Sequence, residues 1–460
     1  MSGCGPAEST PADPGQPDGW DSELSLNEAE DLNADPDVVE IDLTAKEADV
    51  QIREKAYTTV WTYNGGIPGP LVRAKVGDRV VVHFHNELPD PTTVHWHGVR
   101  LTADMDGAPD MPHPPVKKGE TFTYDFVVPD AGLYWYHPHV DSAAQVGAGL
   151  YGALLVEDPN EPKDLGDELT MVLSDIGIEE SGQLQSPDVG GELGSVFGRE
   201  GDSVLVNGRV RPEMVARAGR RQRWRLVNAA RSRYFWLDLE GTPFVRIGGD
   251  GGLMSSPVTA DRLLLVPGER ADVLVVPVDT PGETRTLRWI AYDRGYGTAF
   301  ERPPVDLLSI EASDLPAEDA GEIGSVGRDI EVINTVGATP VEIALTMDQS
   351  GETTTLGING VPFGQAPPIA AAVGETQVWT VKNEMAWAHP FHLHGFFFQL
   401  LDANGAALAP LEWKDTANVP VEGQMTFAVR YDPRPGMWMF HCHILDHAEL
   451  GMMGMVNVEK

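Results

Sequence analysis

The chain has 460 residues, enough for about three domains, and its 42% hydrophobic content is ordinary for a globular protein. With 70 acidic against 33 basic residues the net charge is −37, which argues against nucleic acid as a partner, because phosphate binding needs clustered Lys and Arg. No run of about 18 apolar residues occurs, so no segment reads as a membrane-spanning helix.

Residues 1–37 are rich in Asp, Glu, Pro and Gly and contain no Lys or Arg. Such a segment buries too little apolar surface to offset its ordering entropy, so a disordered acidic tail is expected there. Within it, Met1-Ser2-Gly3-Cys4-Gly5 is similar to the end of a bacterial lipoprotein signal with Cys4 as the lipidated residue; it reads equally as an ordinary thiol in a tail. Export to the periplasm, the cell surface or the exterior is expected, and on the first reading a lipid on Cys4 is the one membrane tether. The only other cysteine is Cys442, so disulfide counting cannot identify the redox compartment.

After the tail come short alternating runs punctuated by Gly and Pro, such as Val80–His85 and Thr121–Val128. The pattern is all-β, with Greek-key β-sandwiches. One frame then recurs three times. Asn64-Gly65, Asn207-Gly208 and Asn359-Gly360 each precede a Pro, a lone Gly (Gly77, Gly219, Gly374) and a strand-like run ending in Asn (Asn86, Asn228, Asn383). Gly and Asn stand nine residues apart in all three copies. The repeat implies three homologous sandwich domains, at 38–160, 161–313 and 325–460, with acidic linkers near Glu157–Asp167 and Asp314–Gly324.

Nine residues beyond the closing Asn lie His95-Trp96-His97-Gly98 in the first copy and His392-Leu393-His394-Gly395 in the third. The second copy keeps the frame but carries Leu237-Asp238-Leu239, so it reads as a spacer without metal ligands. Ten of the 13 histidines fall in four groups: His95 and His97; His137 and His139; His389, His392 and His394; His441, His443 and His447. In a His-x-His strand both imidazoles point to one face and can converge on metal ions. The other three, His83, His85 and His113, read as ordinary residues. Cys442 with His389 and His447, plus the thioether of Met452, makes the donor set of a blue-copper site, whereas the C-x-x-C spacings common at zinc sites are missing.

Four motifs are His95-Trp96-His97-Gly98, Tyr136-His137-Pro138-His139, His389-Pro390-Phe391-His392-Leu393-His394-Gly395, and His441 through Met452. Through them the chain resembles the three-domain multicopper oxidases, which include laccases, bilirubin oxidase, ascorbate oxidase and bacterial cuprous oxidases. The resemblance covers about residues 40–460 and implies three consecutive cupredoxin-like domains with four copper ions. Type 1 copper would take His389, Cys442, His447 and axial Met452; type 2 would take His95 and His392. One type 3 ion would take His97, His137 and His443, the other His139, His394 and His441. Dioxygen would be reduced to water with electrons from a small reducing substrate, and the axial Met implies a low-to-moderate type 1 potential. Asp106 matches a family acid near type 2 copper. Many bacterial relatives have Glu directly after the type 1 His; here Ala448 stands there and Glu449 comes next, and Glu449 is assigned as the acid on the type 3 side.

Substrate choice rests on loops around the type 1 site. Phenols and aromatic amines are the first expectation. Oxidation of Cu(I) or Fe(II) is the alternative, since Met437, Met439, Met452, Met453 and Met455 crowd this region, but no long Met-rich insertion accompanies them. A two-domain copper nitrite reductase is disfavoured by the three repeats and by His137-Pro138-His139. A non-catalytic envelope scaffold is disfavoured because no ligand has been lost. A monomer is expected.

Overall fold

The computed structural model describes residues 15–53, 56–109, 113–297, 302–351 and 353–460. Its strands form six sheets, two from each third of the chain: four and four strands, six and five, then five and five. The sheets lie within Val38–Glu157, Asp167–Ala312 and Thr339–Glu459. The expected all-β class with three consecutive sandwiches is what the chain adopts.

The repeat has a structural counterpart in each sandwich. Val38–Arg53 runs parallel to Arg79–Asn86, Asp167–Ile176 to Gln222–Asn228, and Thr339–Asp348 to Thr376–Asn383. Asn64, Asn207 and Asn359 turn with positive φ of 55°, 50° and 54°, a conformation Asn tolerates better than most residues. Their Oδ1 atoms accept the N–H of Thr44, Val172 and Ala344 at 2.6–2.8 Å, tying the turn to the preceding strand. The closing asparagines also make one set of bonds three times. Asn86 Nδ2 donates to Asp90 O and Val116 O, Asn228 Nδ2 to Arg233 O and Leu265 O, and Asn383 Nδ2 to Trp387 O and Pro420 O. Each Oδ1 accepts the N–H two residues on. Only a short amide both donates twice and accepts at one buried point, so the frame holds in all three copies, with or without histidines beyond it.

Past the closing asparagine the copies diverge. Leu237 and Leu239 are fully buried in the second core with Trp224, Phe235 and Trp289. A second, larger core runs through the first and third sandwiches together and takes in Val196, Tyr234 and Val266 of the middle one. The fully buried Arg270 ties all three, donating to Leu133 O at 3.1 Å and to Asp415 Oδ1 at 2.7 Å.

The expected disorder of residues 1–37 fails for residues 15–37. Leu24 is fully buried in the middle core, with Trp20 packed against it. Leu71 N donates to Asn27 O and Ala29 N to Leu71 O, at 2.7 and 2.9 Å. Two apolar anchors and a short backbone ladder offset the cost that the acidic composition implied. Residues 1–14, with Cys4, lie outside the described residues.

Candidate metal centre

Four short strands carry six of the ten clustered histidines. His95–His97 pairs with Gly132–His137, setting His95 opposite His137; His389–Leu393 pairs with Gly436–Cys442, setting His392 opposite His441. Strand alternation sends Trp96 into the core while His95 and His97 face the third sandwich. The result is a fully enclosed pocket of eight histidines: His95, His97, His137, His139, His392, His394, His441 and His443. Within it His139 Nε2 and His394 Nε2 lie 3.3 and 3.2 Å from His441 Nε2. His97, His137 and His443 form a second convergent trio, and His95, His97 and His392 a third.

Six of the eight imidazoles have an outward ring nitrogen engaged, whereas neither nitrogen of His443 has a partner among the described residues. His95 Nδ1 donates to Asp106 O (2.8 Å), His137 Nδ1 to Pro138 O (2.9 Å), His392 Nδ1 to Asp415 O (3.0 Å) and His441 Nδ1 to Cys442 O (2.9 Å). His394 Nδ1 donates to Asp106 Oδ2 (2.7 Å) and His97 Nε2 to Asp415 Oδ1 (3.2 Å). The opposite atoms, His95 Nε2, His97 Nδ1, His137 Nε2 and His392 Nε2, are buried with no hydrogen-bond partner. Leaving one such atom unsatisfied costs about 1–3 kcal/mol, so a shell of inward lone pairs fits a cation and little else. Burial pushes His139 down to about 3 and His137, His394 and His441 well below the usual range. All four are therefore neutral, the form that ligates metal.

A second pocket uses the other face of the same strand. Cys442 Sγ points away from the rings of its neighbours, 3.4 Å from His389 Nδ1 and 3.5 Å from His447 Nδ1, and those two nitrogens are 3.2 Å apart. All three residues are fully buried. His447 stands on a five-residue helix, Leu445–Glu449, and its Nε2 donates to Val196 O of the middle sandwich at 2.9 Å. Met452 is fully buried and returns to this pocket through its backbone: Cys442 N donates to Met452 O and Met452 N to His447 O. Burial pushes the Cys442 thiol up to about 12, opposed by an N–H···S bond from Ile444. A bound cation would reverse that balance by displacing the proton. One thiolate with two imidazoles and a buried thioether is the donor set of a blue-copper site.

Multicopper oxidase family models match residues 44–161, 167–284 and 337–460, one per sandwich. A multicopper oxidase of Mycobacterium tuberculosis is 32% identical, over 89% of this chain and 85% of its own length. The chain belongs to the multicopper oxidases. A laccase of Bacillus subtilis is 27% identical over 91% of this chain and 94% of its own. Among solved structures, a Campylobacter jejuni multicopper oxidase described as a metallo-oxidase superposes with a TM-score of 0.84 at 28% identity, covering 95% of this chain and 94% of its own.

The carboxylates of this multicopper oxidase divide sharply. Asp106, singled out from sequence, is buried between His394 and His95; burial would raise its carboxyl, but the two imidazoles hold it well below the usual range. Asp415 was missed. It is buried, accepts from Arg270 through both oxygens and from Thr416 Oγ1, and faces His97. Burial opposes ionisation there too, and Arg270 overrides it. Its sole sequence signal is a Lys414-Asp415 charge pair heading the strand Thr416–Val419. Glu449 sits elsewhere. It is an exposed residue whose carboxylate accepts from Ser142 N and Oγ at 2.7 and 2.9 Å, three residues past His139, and no hydrogen bond joins it to a histidine among the described residues. Burial of its carboxyl end, opposed by Ser142, pushes its pKa up.

Proposed function

We propose that this oxidase takes electrons singly from phenols and aromatic amines at His389–Cys442–His447, with Met452 as axial donor, and reduces dioxygen to water in the eight-histidine pocket. Four copper ions would supply a one-electron acceptor and a store of four electrons, sparing the solution superoxide and peroxide. His95 and His392 would hold type 2 copper; His97, His137 and His443 one type 3 ion; His139, His394 and His441 the other. The observation that carries the reading is the segment His441-Cys442-His443 at the end of the strand Gly436–Cys442: its thiol belongs to one pocket and its imidazoles to the other, so a covalent path joins them. Asp106, held ionised, serves as an acceptor through which protons pass at Oδ2 rather than as a stored acid. Glu449, with its raised pKa, is the better reservoir. Copper analysis finding four ions per chain, with oxygen uptake on a phenol, tests the proposal; fewer ions with uptake would overturn the ligand allotment.

Oxidation of Cu(I) is the second reading. Met439 and Met455 face each other across the strands Gly436–Cys442 and Met453–Glu459, and thioethers suit Cu(I). The relatives include copper resistance protein A of Escherichia coli and a copper resistance protein A homolog of Pseudomonas syringae. Turnover of Cu(I) and of a phenol by one preparation decides between them. We also propose export, a lipid on Cys4 and a monomeric enzyme, which cell fractionation, mass spectrometry of the N-terminal peptide and sizing would each test.

A further inference from the structure

The middle sandwich supplies no histidine, yet it grips the Cys442 pocket at three points. Val196 O accepts from His447 Nε2 at 2.9 Å. Arg294 O accepts from Ala388 N at 2.7 Å, one residue before His389. The third grip is charged. Asp446, one residue before His447 and 2% exposed, accepts from Arg199 N and Nη1 at 2.9 and 2.5 Å and from Arg231 Nε and Nη2 at 2.9 and 2.5 Å. Four donors fill the acceptor capacity of one carboxylate. Leu445 N adds a bond to Arg231 O at 3.0 Å.

The thiol and the two imidazoles of this pocket are not held alike. His389 and Cys442 lie in paired strands, opposite Val419 and Phe391. His447 is off the sheet, on a five-residue helix whose N-cap, Ile444, offers no side-chain bond. So short a helix has little stability of its own. Its fixed point is therefore Asp446, and both guanidiniums on Asp446 come from the sandwich that also offers the Val196 carbonyl. Gly198 confirms the tight seat: a Cβ there would lie 2.8 Å from Ile444 Cγ2.

We propose that the Arg199–Asp446–Arg231 clamp is a positioning device, setting the place of the His447 imidazole against Cys442 Sγ and thereby the tuning of the metal bound there. The proposal rests on the reading of that pocket as a copper site. It makes the middle sandwich part of the electronic design rather than a spacer.

The test uses holoenzyme carrying Asp446→Asn, with Glu412→Gln as comparison. Glu412 binds Arg246 between the same two sandwiches at 2.6 Å but, among the described residues, bonds to none of the histidines. The readouts are the blue thiolate band, the reduction potential of that ion, its rate of loss to a chelator, and the thermal midpoint. Asp446→Asn is expected to shift band and potential and to speed copper loss about tenfold, the low end for removing a residue that orients a ligand. Glu412→Gln should lower only the midpoint. Band, potential and release unchanged in Asp446→Asn, or changed no more than in Glu412→Gln, would overturn the proposal. If Asp446→Asn does not fold, Arg231→Lys, which keeps the charge and loses the fork, is judged by the same readouts. A wild-type holoenzyme without a blue band would instead overturn the copper reading, and it shows before any variant is made.

Discussion

The eight-histidine pocket and the Cys442 pocket share a strand and bury their donors equally, yet they are lined differently. Around the first, Asp106 and Asp415 are ionised, and Arg270 is sunk behind Asp415. Around the second, the contacts of the imidazoles are a backbone carbonyl, a thiol and the ring of Trp387, 6.4 Å from His389. The buried Arg294 guanidinium acts on His389, Cys442 and His447 from a distance, and the clamp on Asp446 acts one residue away from His447. The contrast reflects the tasks. A pocket where several cations and protons gather needs resident negative charge, while a pocket that passes one electron needs fixed ligands and a constant dielectric.

Removing the thiol should have the largest effect. Cys442→Ser should abolish the blue band and cut substrate oxidation by more than about a thousandfold, roughly 4 kcal/mol of transition-state stabilisation, while copper in the other pocket remains. Retained phenol oxidation in a band-free variant would break the division of labour. Next is Asp415→Asn, which leaves Arg270 buried opposite a neutral amide, with Asp250, 3.5 Å away, as its remaining carboxylate. Breaking a buried pair outright costs about 3–5 kcal/mol, so a fall in thermal midpoint short of that full cost is expected, with loss of copper from the histidine pocket and an unshifted blue band. Asp106→Asn should be milder for stability and should slow reoxidation of the reduced enzyme about 10- to 100-fold, leaving reduction by substrate fast. Stopped-flow mixing with dioxygen reads the first step and anaerobic mixing with a phenol the second.

Acid sharpens the comparison, because both pockets hold neutral imidazoles. Burial keeps His139 and His447 near 3, against 6.5 in an unfolded chain. Between those values only the unfolded state binds the proton, so the stability these groups contribute is complete above about 6.5 and is lost as pH falls toward 3. Metal-free protein monitored by circular dichroism should lose thermal stability progressively through that window. A flat profile would show that water enters the empty pockets.

The metal centre was legible in the sequence because its donors are local: His-x-His and His-Cys-His place ligands by strand alternation alone. The repeat asparagines were legible for the same reason. The groups that orient the donors were not. Arg270 reaches Asp415 across 145 positions and Val196 reaches His447 across 251, and a backbone carbonyl has no sequence signature. Leu237 and Leu239 made the middle sandwich read as a spacer, because what it offers the Cys442 pocket is two arginines and backbone carbonyls, none of them in a motif. The anchored stretch at 15–37 was hidden by composition, since its apolar docking rests on a few residues, chiefly Trp20 and Leu24, and the rest on backbone bonds such as Leu71 N to Asn27 O.

Glu449 is the smallest and most discriminating case. The residue is exposed, while its carboxyl end is part-buried against Ser142. Glu449→Gln keeps an oxygen to accept both Ser142 bonds and removes only the charge, so stability should move by less than about 0.5 kcal/mol. A proton reservoir would still betray itself: reoxidation should slow a few-fold, and more at high pH, where protons must be drawn from scarcer sources, while reduction by substrate stays unchanged at every pH. Substituting Ser142→Ala as well should add little if the two act as one relay, since coupled residues are not additive. If Glu449→Gln reoxidises at the wild-type rate across the pH range, proton supply falls to the Asp106 side, and the carboxylates that matter are those enclosed with the histidines.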